Sequence, residues 1–293
     1  MLRLIRAEIY KLFKTKKFIV LCVIAVLLSL STIGMTKLMS TEDYWRSGLI
    51  GMSTQEQDEY IQNLSTPENA EMKPNTGLGL KLNAKDILRP TAKDIFYDSF
   101  GASVVEILMA VLIGGLVASE YSSGTIKNIL AYGKKREYYY ISKLLASTVG
   151  LTVILGLMVS LATVVGSLMY GWGEPFTFSQ FGQIIGVFAG AIVVGMGIIA
   201  VLMLVATLLK SNGATIGIGI VVMGVLPAII SFLYGKYTWF DKIYDSSLSY
   251  NWALATFPNS SSGDVLKAAA VGLITTVVAI LGGIVVFKRQ DIK

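Results

Sequence analysis

Residues 181–209 read FGQIIGVFAGAIVVGMGIIAVLMLVATLL, and this stretch decides the fold because it contains no charged residue. An α-helix needs about 20 apolar residues to cross the hydrocarbon core of a bilayer. Further apolar runs lie at residues 18–35, 100–119, 144–170, 214–234 and 266–287. The sequence therefore predicts an all-α integral membrane protein, with six transmembrane helices in one transmembrane domain covering residues 1–293.

The composition of the chain supports a membrane protein. Charged residues make up 15% of the chain, whereas about 25% of the residues in soluble domains are charged. The formal net charge is +6. Because the basic residues flank apolar runs, we interpret them as topological charges and expect the lipid bilayer, not nucleic acid, as the partner. With no histidine and one cysteine, Cys22, the chain has no catalytic triad of the Ser-His-Asp type and no zinc constellation.

The distribution of lysine and arginine predicts the orientation. These residues concentrate before the first run, between the second and third runs, and after the sixth run. Cytoplasmic loops carry such an excess, so we expect a multi-pass protein of the cell membrane with both termini and residues 120–143 in the cytoplasm. Residues 36–99 then form a long external loop. Within that loop, two polar pairs are spaced to start short helices, Ser53 with Glu56 and Thr91 with Asp94.

The first 17 residues have the pattern of an amphipathic helix. Leu2, Ile5, Ile9 and either Leu12 or Phe13 recur at helical spacing, and basic residues occupy other positions. We therefore expect residues 1–17 to form a helix in the membrane interface. Two roles are open for it: a simple membrane anchor, or a lever that also contacts a cytoplasmic partner. We interpret the following run as a retained span and not as a cleaved signal peptide, because no clear cleavage site follows it.

The segment between the second and third runs is polar and basic. It reads EYSSGTIKNIL at residues 120–130 and KKR at residues 134–136. Gly124 is expected to form the turn at the start of a short helix, one face of which carries Ile126, Ile129 and Leu130. The three tyrosines at residues 138–140 are expected to form an aromatic belt at the membrane surface. Shape alone leaves open an ordinary basic loop between two spans.

In motif and layout, the chain resembles the permease subunits of type 2 ABC exporters. The motif is the stretch 120–130, which follows a span and precedes Ser142, Lys143 and the next span. The layout is the six spans, the long first external loop and the basic amphipathic N-terminus. The small bacterial members, including permeases for peptide-antibiotic export and immunity, are the most similar. The resemblance implies that the motif is a coupling helix seated in a groove of a separate ATPase, through Glu120, Tyr121, Gly124, Thr125, Lys127, Ile129 and Leu130.

The resemblance also implies the partners. Two permease subunits, identical or homologous, would form the pathway, and a dimer of cytoplasmic ABC ATPase subunits would drive them. The chain contains no G-x-x-x-x-G-K-[ST] phosphate loop, so ATP would be bound by the partner and the chain itself is expected to be neither an enzyme nor a cofactor-binding protein. The expected cargo is amphipathic: a peptide antibiotic, a drug or a lipid-like molecule.

Three further features of the spans are candidates for function or packing. Glu106 lies inside the second run, and ionisable residues within spans are costly and often functional, so we interpret it as a pathway or subunit-interface residue. Small residues at a spacing of four favour close helix packing, which we expect at Gly182, Gly186 and Gly190. Pro227 and several glycines interrupt the fifth run and predict a bend there.

Two other functional classes remain open. A non-transporting immunity or sensor protein would bind its ligand through the external loop. An ion-coupled transporter typically shows inverted repeats and several intramembrane charges. No repeat is visible in this chain, and only Glu106 is clearly a charged residue inside a predicted span. Both observations disfavour an ion-coupled transporter.

Overall fold

The computed structural model describes residues 1–65, 84, 86–127 and 135–290. Its regular structure is helical throughout these residues, and six helices are long and apolar enough to cross a membrane. They are span 1 (Lys16–Met39), span 2 (Ser103–Ser122), span 3 (Arg136–Tyr170), span 4 (Phe178–Leu209), span 5 (Asn212–Leu233) and span 6 (Ser262–Arg289). The predicted all-α fold with six spans is confirmed, and the chain is a multi-pass membrane protein.

Shorter helices lie outside the spans: α1 (Leu2–Lys14), α2 (Glu42–Gly48), α3 (Thr54–Ser65), α4 (Ala92–Asp98), α5 (Thr238–Tyr244) and α6 (Leu248–Ala255). The Glu56 carboxylate accepts a hydrogen bond from the backbone N–H of Ser53 at 2.8 Å. The Asp94 carboxylate accepts one from the backbone N–H of Thr91 at 2.8 Å. Helices α3 and α4 therefore begin where the sequence predicts. The remainder of the predicted external loop, residues 66–83 and 85, lies outside the described residues.

Span 3 differs most from its apolar run, because it begins at Arg136 and not at residue 144. A helix that starts there places Tyr139, Tyr140 and Lys143 on one face. All three side chains are buried, with 1% or less of each exposed. The expected aromatic belt at residues 138–140 is therefore wrong for two of its three tyrosines, since only Tyr138 faces outward.

Spans 4 and 6 form the most extensive contact between helices. A Cβ added to Gly272 would lie 2.7 Å from the Cα of Val194, and one added to Gly197 would lie 2.8 Å from the Gly272 carbonyl oxygen. Glycine is required at both positions because the two backbones touch. Span 3 packs against span 1, and span 2 packs against span 5.

Spans 2 and 5 each contain a π-helical turn, at Gly114–Ala118 and at Ile220–Val225. The two spans meet beside these turns, where a Cβ added to Gly219 would lie 2.8 Å from the Cβ of Ala110. Pro227 follows the turn of span 5 and has no N–H to donate to a regular helix. The interruption predicted in span 5 is thus a π-helical turn followed by a proline.

The two ends of the helix bundle differ in charge. One end, which we call the basic end, gathers α1, the ends of spans 2, 4 and 6, and the starts of spans 1, 3 and 5. Helices α2 to α6 belong to the connections at the opposite end. The described basic residues of the basic end are Arg3, Arg6, Lys11, Lys14, Lys16, Lys17, Lys127, Lys135, Arg136, Lys143, Lys210, Lys288 and Arg289.

Candidate functional site

Helix α1 is attached to the bundle through a face that carries a carboxylate. Glu8 is the one acidic residue among the first 17, and helical spacing places it on the same face as Leu12. This face packs against span 3, where Glu8 is 4% and Leu12 is 1% exposed. Leu2 and Phe13 stay exposed, so the helix keeps the amphipathic character that its sequence predicts.

Lys143 joins Glu8 to Glu120 inside the protein. Its ammonium nitrogen lies 2.5 Å from a carboxylate oxygen of Glu8 and 2.8 Å from one of Glu120. It also donates to the Leu116 carbonyl oxygen at 3.3 Å. Lysine and glutamate are almost never fully buried unless they are paired. Here three helices, α1, span 2 and span 3, supply the paired charges.

Two further residues hold the Glu120 carboxylate. Lys11 of α1 forms an ion pair with one of its oxygens, and the Tyr139 hydroxyl donates to the other. Glu8, Glu120, Lys11 and Lys143 together carry no net charge, and we call them the buried ion cluster. Burial and the neighbouring Lys143 ammonium lower the pKa of Lys11, while the Glu8 carboxylate acts in the opposite direction.

The structure places the Glu120 side chain inside the chain, although the sequence suggested that it contacts a partner. Only 3% of the residue is exposed, and its oxygens face donors from α1 and span 3 of the same molecule. In this position Glu120 fixes the end of span 2 and does not present a carboxylate at the surface.

Directly after the buried ion cluster, the chain makes an exposed turn. Gly124 has a φ of +70°, in the left-handed region that favours glycine, and residues 125–127 are helical. Thr125 and Lys127 are exposed, whereas Ile126 is 2% exposed and belongs to the hydrophobic core. The turn expected at Gly124 is therefore present, with one apolar residue directed inward. Residues 128–134, which include Ile129 and Leu130, lie outside the described residues.

Tyr121 packs against the last turn of span 6. Its ring centroid lies 6.1 Å from that of Phe287, and the rings of Tyr139 and Tyr140 lie 5.7 and 6.1 Å from the same ring. The guanidinium carbon of Arg136 lies 5.6 Å from the centroid. Phe287 is completely buried in this aromatic group, which connects the end of span 2 to the end of span 6.

Arg136 closes the end of span 6. Its guanidinium group donates to the carbonyl oxygens of Phe287, Lys288 and Gln290 at 2.7, 3.0 and 2.9 Å. The last carbonyl groups of a helix have no partner within the helix, so this side chain satisfies them from span 3. The Gln290 amide in turn donates to the Thr207 carbonyl oxygen at 2.8 Å. Spans 3, 4 and 6 are thereby joined at the basic end.

Ser122 links span 2 to the turn between spans 4 and 5. Its hydroxyl accepts a hydrogen bond from the backbone N–H of Asn212 at 3.0 Å. Lys210 in this turn has a φ of +53°, an uncommon conformation for a residue with a side chain. The end of span 2 therefore contacts α1, span 3, span 6 and the span 4–span 5 turn.

Glu106 lies near the opposite end of span 2 and is completely buried. Span 5 and α6 cover this part of the span. A Cβ added to Gly224 would lie 3.1 Å from Ile107, and the Trp252 indole donates to the Phe100 carbonyl oxygen at 3.2 Å. The structure thus places Glu106 in the interior of the chain, and its role at the pathway or at a subunit interface stays a prediction.

The three glycines expected to pack in span 4 have different surroundings. A Cβ added to Gly190 would lie 2.8 Å from Val265 of span 6, whereas one added to Gly182 or Gly186 would meet no atom within 4 Å. Gly182 and Gly186 instead line a cavity of about 800 Å³. The packing prediction fails at these two positions because the tight crossing of spans 4 and 6 lies further along, at Gly197 and Gly272.

Most residues of the site were not predicted from the sequence to be functional. The residues that sequence reasoning missed are Glu8, Lys11, Tyr139 and Lys143. Two signals were present, an acid alone on the apolar face of a basic helix and a lysine at the start of an apolar run. Neither signal identifies the partner, because the ion pairs join residues that are far apart in the chain, such as Lys11 with Glu120 and Glu8 with Lys143.

The site is suited to holding helices together. Among the described residues, no group of three or more His, Cys, Asp or Glu side chains is arranged to hold a metal ion. The charges of the buried ion cluster are already matched within the chain. The arrangement therefore ties α1, span 2 and span 3 together beside an exposed segment.

Comparison with known proteins identifies a family. The model of a family described as "Protein of unknown function (DUF2705)" matches residues 87–293, which include spans 2 to 6. No curated protein and no solved structure matches the chain.

Proposed function

The chain belongs to the DUF2705 family, and we propose that it is the membrane-spanning permease subunit of an ATP-driven ABC exporter whose ATPase is a separate polypeptide. Two permease subunits, identical or homologous, form the pathway in the plasma membrane of a bacterium. Two ATPase subunits bind and hydrolyse ATP at their cytoplasmic face.

The observation that carries the proposal is the exposed segment that leaves the buried ion cluster. An element that receives movement from a partner needs an exposed tip and a firmly attached base. Thr125 and Lys127 are exposed, while Glu120, five residues before Thr125, is held by Lys11, Lys143 and Tyr139. Movement of residues 125–127 would therefore pass to α1 and span 3 as well as to span 2.

The charge of the basic end supports its cytoplasmic placement. Basic residues surround the exposed segment, α1 and the ends of spans 4 and 6, as the positive-inside rule expects for a cytoplasmic surface. In the proposed cycle, closure of the ATPases shifts residues 120–127, and the attached helices rock as a rigid body, which is a common mode of switching. The cargo is an amphipathic molecule, such as a peptide antibiotic, a drug or a lipid-like compound.

The test is co-purification from cells that naturally produce the protein. The tagged chain is isolated from their membranes in mild detergent, and a soluble ATPase is expected in stoichiometric amount. Thr125→Arg combined with Lys127→Glu should abolish its recovery, because both residues are exposed and outside the core. Lys242→Glu is the matched control, since Lys242 is exposed on α5 at the opposite end.

Two results would count against the exporter. One is recovery of the chain without an ATPase in several mild detergents, and the other is equal recovery of the ATPase with the double variant and the control. The first result would favour the immunity or sensor alternative, which has one supporting observation: the cavity of about 800 Å³ lies at the end away from the exposed segment.

A further inference from the structure

The cavity between spans 4 and 6 has a wall made of small residues. Gly182, Gly186, Gly190 and Val193 line it from span 4, and Val265 and Ala269 line it from span 6. The three glycines recur every four residues and so form a stripe without side chains along one face of span 4. Because a Cβ at Gly182 or Gly186 would meet nothing within 4 Å, the missing side chains themselves create the groove.

The dimensions of the cavity restrict what it can hold. The lining of span 4 extends from Ser179 to Val193, roughly 21 Å along the helix axis. This length is about two thirds of the hydrocarbon thickness of a bilayer. The volume of about 800 Å³ spread over that length gives a mean cross-section of about 40 Å². A groove of this cross-section accepts an extended hydrocarbon chain, whereas it cannot enclose an α-helical peptide, which is roughly 10 Å across.

The mouth of the cavity is polar, in contrast to its wall. Ser179 and Gln183 of span 4 and the three serines at residues 260–262 line it, and Lys93 of α4 reaches it from the side. Among the described residues that line this cavity, Lys93 is the one that carries a charge. It also forms a 3.1 Å ion pair with Glu174, whose side chain is 54% exposed. The Lys93 ammonium is therefore paired with an exposed carboxylate, that of Glu174, and lies beside the mouth.

Two helix starts lie at the mouth. Span 4 begins after its capping residue Thr177, and span 6 begins after Ser261. The first turns of helices carry a partial positive charge. The Asp264 carboxylate of span 6 is engaged in the cap, where it accepts from the Ser261 backbone at 3.0 Å. This carboxylate offsets the first turn of span 6, so the positive groups at the mouth are Lys93 and the start of span 4, and the hydroxyl groups of the mouth provide hydrogen bonds.

We propose that this cavity binds one lipid molecule that has an anionic phosphate headgroup. The phosphate lies at the mouth, between Lys93 and the serines at residues 260–262, and a hydrocarbon chain lies along the glycine stripe toward Val193. The polar mouth and the apolar wall follow each other along span 4 in the same order as the two parts of a lipid. The site lies apart from the buried ion cluster and needs no ATPase, so it stands or falls independently of the exporter proposal.

Lipid binding can be tested on the complete chain in mild detergent. Native mass spectrometry counts the bound molecules after addition of phosphatidylglycerol, which is anionic, or phosphatidylcholine, which is zwitterionic. The wild-type chain should retain one phosphatidylglycerol in preference to phosphatidylcholine. Gly182→Leu with Gly186→Leu fills the groove and should raise the Kd by about tenfold or more. Lys93→Gln should remove the preference for the anionic lipid while a chain still binds.

Gly156→Leu with Gly282→Leu is the matched control. A Cβ at either position also meets nothing within 4 Å, and neither residue lines the cavity, so binding should match the wild type. Equal lipid binding by the two double variants, with equal elution in size-exclusion chromatography, would overturn the site. Equal affinity of the wild type for both lipids would overturn the anionic headgroup. Recovery of a bound peptide that only the groove-filling variant loses would overturn the assignment to a lipid.

Discussion

The Lys143 ammonium lies 2.8 Å from a carboxylate oxygen of Glu120, 23 positions earlier in the chain and in a different span. Both side chains are buried, with 0% and 4% of them exposed. The contact joins the last turn of span 2 to the start of span 3. It therefore fixes where the exposed residues that follow Glu120 leave the bundle.

Loss of Lys143 should destabilise the protein strongly. Lys143→Met leaves Glu8 buried without its cation, and breaking a buried pair in this way costs about 3–5 kcal/mol. Glu8→Gln together with Lys143→Met leaves the Lys11–Glu120 pair balanced, so most of the loss should be recovered. Thermal unfolding in detergent measures both variants. A double variant no more stable than Lys143→Met would show that charge balance does not govern the cluster.

The stability of the protein should depend on pH through Lys11. Its pKa in the folded protein is lowered from the ordinary value of 10.5. Between these two pKa values the unfolded chain binds more protons than the folded chain, so stability should rise as pH rises through this window. Lys11→Met should flatten this rise, whereas Lys14→Met, at an exposed position of the same helix, should leave it unchanged.

The expected effect of Lys11 is small, because 46% of its side chain is exposed and solvent screens such groups. Unfolding curves recorded at several pH values below 10.5 provide the measurement. A stability that falls as pH rises in the wild type, but not in Lys11→Met, would mean that folding raises the pKa of Lys11 instead of lowering it.

The crossing of spans 4 and 6 should tolerate no side chain at Gly272. A Cβ there would lie 2.7 Å from the Cα of Val194, and such overpacking typically costs about 1–3 kcal/mol or more. Gly272→Leu should therefore lower the melting temperature, while Gly282→Leu in the same span should not, since its Cβ meets nothing within 4 Å. Fluorescence-detected size-exclusion chromatography after heating distinguishes the two variants.

Arg136 should be irreplaceable by lysine. Its planar group donates to three carbonyl oxygens at the end of span 6, whereas lysine is a point charge without this fork. Arg136→Lys should cost about 1–3 kcal/mol and should loosen the end of span 6. The rate of cleavage near residue 289 in limited proteolysis measures how far the end of span 6 is loosened. Equal cleavage of wild type and variant would show that the end of span 6 is held by other contacts.

The number and type of the helices could be predicted from the sequence, because the membrane imposes a length and composition that appear as uninterrupted apolar runs. The starts of α3 and α4 could also be predicted, since Ser53 and Thr91 cap helices through neighbours three residues away. These features depend on short stretches of sequence, and their physical causes are local.

The buried ion cluster could not be predicted, because its contacts depend on how distant helices pack. Lys143 looked like the basic flank of a span, and Glu120 like an exposed residue in a basic loop. The same limit explains the glycines of span 4. Their spacing shows that a helix could approach closely, but whether span 6 does so at Gly182 or only from Gly190 onward depends on the tertiary structure.

The π-helical turn of span 2 lies between the core of the bundle and Glu120. Such a turn contains one residue more than an α-helical turn, and each residue of a helix turns the chain by about 100°. Deleting Gly115 would leave the hydropathy of the span almost unchanged. It would remove the extra residue and convert the turn to a regular helix, so the Glu120 carboxylate would keep its direction toward Lys143. A regular helix that retained every residue would instead rotate this carboxylate by about 100°, away from Lys143. The direction of Glu120 at this end of the protein therefore depends on the single helical turn that takes up the extra residue.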